Sequence, residues 1–359
     1  MSAGMAAAAA SPKSGGTTTV RALSAQDEAR WDEYVMRTPS AEFFSLIAWR
    51  RVLEDAYGYK PHYLLVERDG AIAGILPLFL VSNLVTGKKL ISVPFGVYGG
   101  VVADDEEAET ALHEAARELG RERKVDYIEL RYRTHAALPG WLPVEQYVTF
   151  TIDLETNDEA MMKRLPRDTR YMIRKGQKAG LVGTHGAEQM SLFFDLFARN
   201  MQNHGTPMFP RRYFDAIAKH LGPCMDLLII RDGETPVAGV LSFLYKDSVL
   251  PYYAGVTEQA RKVAGNNFLY WDLMSWSITR GIRHFDFGRS KKGTGAFDFK
   301  SGWGMTQTQL EYQILLVRRK SAPNFSPTNS KFAKAASIWS RLPLGLTKAI
   351  GPVISPWFP

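Results

Sequence analysis

One pattern of apolar and polar positions occurs twice along the chain. The stretches "YLLVERDGAIAGILPLFL" (Tyr63–Leu80) and "LLIIRDGETPVAGVLSFLY" (Leu227–Tyr245) each read as an apolar strand, an Arg-Asp-Gly turn, and a second apolar strand entered through a glycine. Apolar runs on either side of an Asp-Gly pair predict a β-hairpin. The turn arginines are Arg68 and Arg231 and the second glycines Gly74 and Gly239, which gives the later copy two extra turn residues. After each hairpin the same succession returns. The first copy continues with "KLISVPFG", a helix over 106–123 and "DYIELR", ending at Arg131. The second continues with "SVLPYYAGV", a helix over 267–280 and "HFDFGR", ending at Arg289. Apolar positions at helical spacing predict helices over 25–38 and 47–57 before the first hairpin, and over 158–179, 190–204 and 211–221 before the second. The segment "QLEYQILLVRR" puts Leu310, Tyr312, Ile314 and Leu316 on one face, as a strand that closes one of the sheets.

The repeat predicts an α/β (α+β) chain of two similar tandem domains, each a mixed central sheet flanked by helices. The boundaries expected are a disordered tail over 1–19, a first domain over 20–150, a second over 151–309, the closing strand over 310–320, and a basic, apolar tail over 321–359.

Composition narrows the classes. At 45% hydrophobic and 12% aromatic content, 359 residues suffice for a sizeable core. No apolar run reaches the roughly 18 residues of a membrane span, so the expectation is a soluble, cytoplasmic protein, at most peripheral to the inner membrane. The single cysteine, Cys224, excludes an internal disulfide and a cysteine-rich metal site. The seven histidines show no HExxH or similar ligand spacing, so no catalytic metal is expected. The net charge of +7 is concentrated in two places, 161–180 and 318 to the end. In the first, Arg167, Arg170, Arg174 and Lys178 recur at three- and four-residue spacing, a basic stripe suited to transfer-RNA phosphates or a lipid-linked diphosphate, or else a solvated face. In the second, Lys331, Lys334, Arg341 and Lys348 lie among Ile338, Trp339, Leu346, Ile350, Val353, Trp357 and Phe358, a composition that suits an anionic membrane surface, although four prolines interrupt any long helix.

The duplicated order and the stretches "FFSLIAWRRVLEDAYGYKPHYLLV", "LPRDTRYMIRKGQKAGL", "GTPMFPRRYF" and "FDFGRSKKGTGAFDFKSGWG" resemble the Fem family of peptide-bridge aminoacyltransferases, with its duplicated acetyltransferase-like (GNAT) fold. The likeness runs from about Phe43 to Tyr312 and is greatest to the members that accompany exosortase and PEP-CTERM exopolysaccharide systems. It implies metal-independent acyl or aminoacyl transfer to an amine or hydroxyl of a cell-envelope precursor, either peptidoglycan or exopolysaccharide. No bound cofactor is expected, only an acyl donor, which is an aminoacyl-tRNA or an acyl thioester. The acceptor implied is a lipid-linked or nucleotide-linked saccharide. Two other readings remain open: an N-acyltransferase using acyl-CoA or an acyl carrier, and a non-catalytic envelope-assembly module.

Within that resemblance Lys300 matches the lysine of the family pattern FKxG[FW]G, with Phe299, Gly302, Trp303 and Gly304 in the other places. The implied role is stabilisation of negative charge on the acyl oxygen or leaving group, and losing one such stabiliser typically slows a reaction about 100- to 1,000-fold. If that is its only role, Lys300→Ala should leave the melting profile unchanged. Arg289 is a candidate anion clamp, or a structural partner of Asp286 or Asp298. Tyr252 and Tyr253 alternate across a strand, one toward the core and one available to an acceptor. Arg50, Arg51, Arg211 and Arg212 are further candidates for holding acceptor phosphates. Asp298, Asp286 and His204 are candidate general bases that spacing does not separate. The phosphate-binding loop of single-domain acetyltransferases is glycine-rich. Here the corresponding "RKVAGNN" carries Ala264 and Asn266 at the glycine positions, and the first copy offers only the acidic "VVADDEEAE".

Overall fold

The computed structural model describes residues 18–83, 85–321, 330–357 and 359, with the side chains of 330–334 outside the description. The expected tail over 1–19 therefore lies outside the described residues as far as 17, as does Phe358.

Both predicted hairpins form. Leu64–Arg68 pairs with Ala71–Leu76 across a turn in which Asp69 and Gly70 both take positive φ, +51° and +76°. Met225–Asp232 pairs with Thr235–Tyr245, and there the two extra residues lengthen the ladder, since Arg231 lies opposite Pro236 and Asp232 opposite Thr235. The strands that follow differ more. Thr235–Tyr245 is continuous, with an irregularity in its next ladder between Leu241 and Ser242. Its first-copy counterpart is broken at the residue aligned with Ser242, which is Pro77. Proline has no N–H to donate to a ladder, and Ala71–Leu76 and Phe79–Asn83 fall into separate sheets, the first between Leu64–Arg68 and Val102–Ala103 and the second between Lys60–Pro61 and Gly87–Ile91.

Helix Glu106–Glu122 starts at Asp105, whose carboxylate accepts from the Ala108 N–H, and packs Leu112 and Ala116 against the first unit's strands. Helix Gly265–Thr279 has apolar residues on most of its surface and is buried against the second unit's sheet. Helices Ile47–Tyr57 and Arg211–Leu221 pack on each other in a third cluster that joins the units, where Phe43 stacks on Phe243 at 4.7 Å and Trp49 meets Tyr213 edge-on.

The units also exchange strands. Tyr147–Asp153, which straddles the expected boundary at 150, pairs with His284–Asp286 and Thr306–Gln309 of the second sheet. The closing strand Glu311–Leu316 returns to the first sheet, antiparallel to Tyr127–Tyr132. The terminal segment forms helices Ser330–Trp339 and Leu344–Ile354. Pro343 sits at the start of the second, where a proline costs little, and Pro352 near its end. This segment is tied to the first unit by Tyr59 OH donating to Pro356 O at 2.7 Å, and to the second by Lys348 on Asp195 at 2.6 Å.

Candidate functional site

In the second unit the parallel pairing of Ser248–Val256 with His284–Asp286 lasts only two steps, Ser248↔His284 and Val249↔Phe285. Ser248–Val256 then follows its antiparallel neighbour, while Phe287 N donates to Phe150 O on the other side. The sheet forks here. A fork releases backbone carbonyls, and buried ones need donors. Lys300 supplies them: its Nζ donates to Phe287 O at 2.6 Å and to Gly288 O and Arg289 O at 3.3 Å each.

Lys300 stands in helix Gly295–Ser301, which is capped by Thr294, so the glycine-punctuated segment is helical at its centre. Gly304, at φ +66°, turns the chain against Pro166. Trp303 is 1% exposed and meets Phe287, Phe299 and Tyr270 at 5.6–6.1 Å. Desolvation in this frame pulls the Lys300 ammonium down to about 8, against partial support from Asp286. The expectation of an unchanged melting profile for Lys300→Ala is corrected by this geometry, because that substitution would strip three buried carbonyls of their donor.

Arg289 lies three residues past the end of strand His284–Asp286, with its guanidinium 4.8 Å from the Tyr147 ring and 5.9 Å from that of Tyr312. It makes no ion pair among the described residues, with Asp286 or Asp298 or any other. Its first-copy counterpart, Arg131, lies 5.8 Å from the same Tyr312 ring, and donates to Glu129, Val93 O, Gly96 O and Pro359 O. Tyr252 donates to Phe95 O, and the Tyr253 hydroxyl shares a hydrogen bond with that of Tyr213 at 2.7 Å, so both tyrosines belong to the aromatic core between the units.

Beside the fork, two adjoining cavities of about 310 and 500 Å³ open between the units. They share Glu42, Arg133, Tyr245 and Ser248. Arg133 spans the gap: it pairs with Glu42 at 2.5 Å and Asp286 at 2.8 Å and lies 3.8 Å over the Tyr98 ring. The other oxygen of Asp286 accepts from Tyr98 OH, Thr149 Oγ1 and Gly288 N. Asp286 is thus the one proposed base that lines a cavity, and donors already surround it. His204 caps helix Met190–Asn203, and Asp298 is exposed in the first turn of the Lys300 helix. His284 also faces the smaller cavity, with Nδ1 2.7 Å from Asp153.

The remaining sequence candidates lie elsewhere. Arg50 and Arg51 are held by Glu28, with Glu54 also on Arg50. Arg211 binds Asp215 and Ser191 on the outer surface, where Arg212 is also exposed. On helix Arg167–Lys178, Arg170 closes the preceding helix by donating to Leu165 O and Lys163 O. Arg167, Arg174 and Lys178 are exposed and form no ion pair among the described residues. The same helix is joined to the Lys300 frame by Thr169 Oγ1 donating to Gly302 O at 2.7 Å. Arg133, Glu42 and Tyr98 escaped the sequence reading. Their one available signal was the second arginine in "ELRYR", two residues beyond Arg131 and on the same strand face.

Comparison with known proteins places this geometry. Residues 163–301 match the model of the acetyltransferase (GNAT) domain family, a span that contains the forked strands and ends just past Lys300. No curated protein sequence matches the chain. Among solved structures, FemX aligns at 13% identity over 84% of this chain and 98% of its own, with a TM-score of 0.64. A tandem GNAT protein from the clavulanic acid biosynthesis pathway aligns at 11% over 85% and 100%, TM-score 0.56. The C-terminal domain of a putative lysylphosphatidylglycerol synthetase from Agrobacterium fabrum aligns at 15% over 90% and 96%, TM-score 0.54. At these identities the likeness shows the fold: two tandem GNAT-like domains with mixed sheets flanked by helices.

Proposed function

We propose that this protein transfers an acyl or aminoacyl group to an amine or hydroxyl of a cell-envelope precursor, peptidoglycan or exopolysaccharide, with the donor seated in the fork of the second unit. The observation that carries this reading is the fork itself, which lies inside the segment matching the acetyltransferase family and holds a half-buried, cationic Lys300. Of the three ammonium contacts, two are long, at 3.3 Å, and go to neutral carbonyls. An acyl oxygen gaining negative charge is a stronger acceptor than either, so it displaces one of them and is stabilised. Phe299 and Trp303 keep the lysine from swinging away. Arg289 offers a guanidinium to the anionic end of a ligand, and the cavities beside Asp286 and Arg133 receive the acceptor.

Two surfaces fit the partners of such a reaction. Arg167, Arg174 and Lys178, facing solvent beside Tyr171, suit the phosphates of an aminoacyl-tRNA. Helix Leu344–Ile354 exposes Leu346, Ile350 and Val353, which suit peripheral contact with the membrane carrying a lipid-linked acceptor. No helix among the described residues is long and apolar enough to cross a membrane.

One observation favours a second reading with a coenzyme A thioester as donor. Ala264, in place of the usual glycine, takes the left-handed conformation at φ +58° at the start of helix Gly265–Thr279, so the backbone keeps the bend of a diphosphate-binding loop without glycine there. Anisotropy of fluorescently labelled aminoacyl-tRNA at two salt concentrations, with acetyl-CoA as competitor, separates the two. Salt-sensitive binding that acetyl-CoA leaves intact supports the aminoacyl donor. Absence of tRNA binding at low salt removes it and leaves the thioester.

A further inference from the structure

Glu109, His113 and His135 bring one carboxylate and two imidazoles together at the first-unit wall of the larger cavity, which Glu109 and His135 line and behind which His113 is buried. Glu109 and His113 are one turn apart on helix Glu106–Glu122, and His135 follows strand Tyr127–Tyr132. Glu109 Oε1 lies 2.9 Å from His135 Nε2 and 3.9 Å from His113 Nδ1, and the three donor atoms all fall within 4.8 Å of one another.

The second ring nitrogen of each histidine decides what the first can do. His135 Nδ1 is 2.6 Å from Ala136 O, and a carbonyl only accepts, so that nitrogen carries the proton. Nε2 faces a carboxylate oxygen 2.9 Å away, a contact that needs a proton or a metal ion between the two atoms. His113 Nε2 is held at 2.8 Å by the Tyr132 hydroxyl, which leaves Nδ1 toward Glu109. Tyr132 itself is fixed by the Val101 N–H and by stacking on His135 at 4.1 Å. Metal-binding histidines characteristically donate their other ring N–H to a carbonyl or similar acceptor, and both rings have such a partner in place.

We propose that Glu109, His113 and His135 bind a divalent transition-metal ion, with zinc the best match to a two-imidazole, one-carboxylate set. Zinc–ligand bonds of about 2.0–2.2 Å place tetrahedral donors roughly 3.3–3.5 Å apart, between the two separations seen here. Binding widens one contact and closes the other by about half an ångström each, within side-chain motion. His113 then takes the tautomer that donates from Nε2 to Tyr132. Glu109, Tyr132 and His135 all line the cavity, so the fourth position faces it and takes an oxygen or nitrogen donor from a ligand there. The site stands on its own residues and does not depend on the acyl-transfer reading.

Isothermal titration of the full chain with Zn²⁺ at neutral pH tests it. One equivalent should bind with micromolar or tighter affinity, and His135→Ala and Glu109→Gln should each weaken binding at least tenfold, while His220→Ala, at a half-buried histidine paired with Asp55 and remote from the site, should change nothing. No saturable binding would mean that a proton alone joins Glu109 to His135, and would overturn the proposal, as would binding that survives both substitutions. Co²⁺ added to the unsubstituted protein gives a second reading that does not depend on a variant folding: visible bands of a four-coordinate ion are expected, and a purely octahedral spectrum would count against the site.

Discussion

The two units start from one plan and end in different states at the corresponding place. In the first, Gly87–Ile91 runs parallel to Tyr127–Tyr132 for three pairs, and the chain beyond folds back into the gap: Ser92 N donates to Glu129 O, and Gly99 and Arg131 exchange backbone hydrogen bonds. Arg131 is consumed there by Glu129 and by three carbonyls. In the second, pairing stops after two steps, no segment among the described residues folds back into the gap, and a lysine from a separate helix holds the loosened carbonyls. Each unit even holds a desolvated lysine whose pKa is lowered to about 8, buried Lys89 and half-buried Lys300. One fork is thus closed by its own chain and serves as packing, whereas the other is held by a lysine and is the one to which the proposed chemistry is assigned.

The largest break in this comparison comes from Lys300→Ala. Transfer should fall at least about 100-fold, and because buried carbonyls lose their donor the protein should also lose about 2–3 kcal/mol. Turnover and thermal melting of the same preparation check both. Lys89→Met, at the first unit's lysine, should leave turnover near the wild-type value.

Ser242→Pro would impose the first unit's interruption on the second. A proline there removes a ladder donor from a central strand, and denaturant unfolding should show a lower midpoint than wild type. Pro77→Ser, the reverse exchange, should stay within about 1 kcal/mol, because the break is already accommodated by two separate ladders.

The charge at the fork gives a pH test. The folded pKa of Lys300 is about 8, below the ordinary 10.5. Over that window the unfolded chain binds the extra proton, so this group makes stability rise as pH climbs from about 8 to 10.5. Catalysis that needs the ammonium moves the opposite way, and the rate should decline above about pH 8 with the loss of one proton. Lys300→Arg, if it retains activity, should abolish that decline. The smallest effect is expected at Ala264→Gly, which relieves a left-handed alanine and should raise stability by at most about 1 kcal/mol, read as a shift in the unfolding midpoint.

Much of the architecture was legible because it is written in local patterns. The hairpins around Asp69-Gly70 and Gly233, the helix expected over 106–123 and found over Glu106–Glu122, and the one expected over 267–280 and found over Gly265–Thr279 all follow from periodicity and turn chemistry. The strand exchange was not legible. That Tyr147–Asp153 joins the second sheet and Glu311–Leu316 the first is a long-range pairing choice which alternation along either strand does not encode. The Lys300 frame could be singled out from its motif, but its contact with the carbonyls of Phe287 to Arg289 depends on where the sheet forks. Arg133, Glu42 and Asp286 come together only when the units dock. Glu109, His113 and His135 bridge a helix and the end of a strand, with the histidines 22 positions apart, outside any short ligand spacing.

The central claim is that the donor occupies the fork of the second unit. Hydrogen–deuterium exchange on the full chain, with and without added aminoacyl-tRNA or acetyl-CoA, tests it without knowledge of the acceptor. The account predicts slowed exchange concentrated in 250–256 and 286–304. Protection instead at 89–99 and 127–133, the corresponding part of the first unit, would contradict it.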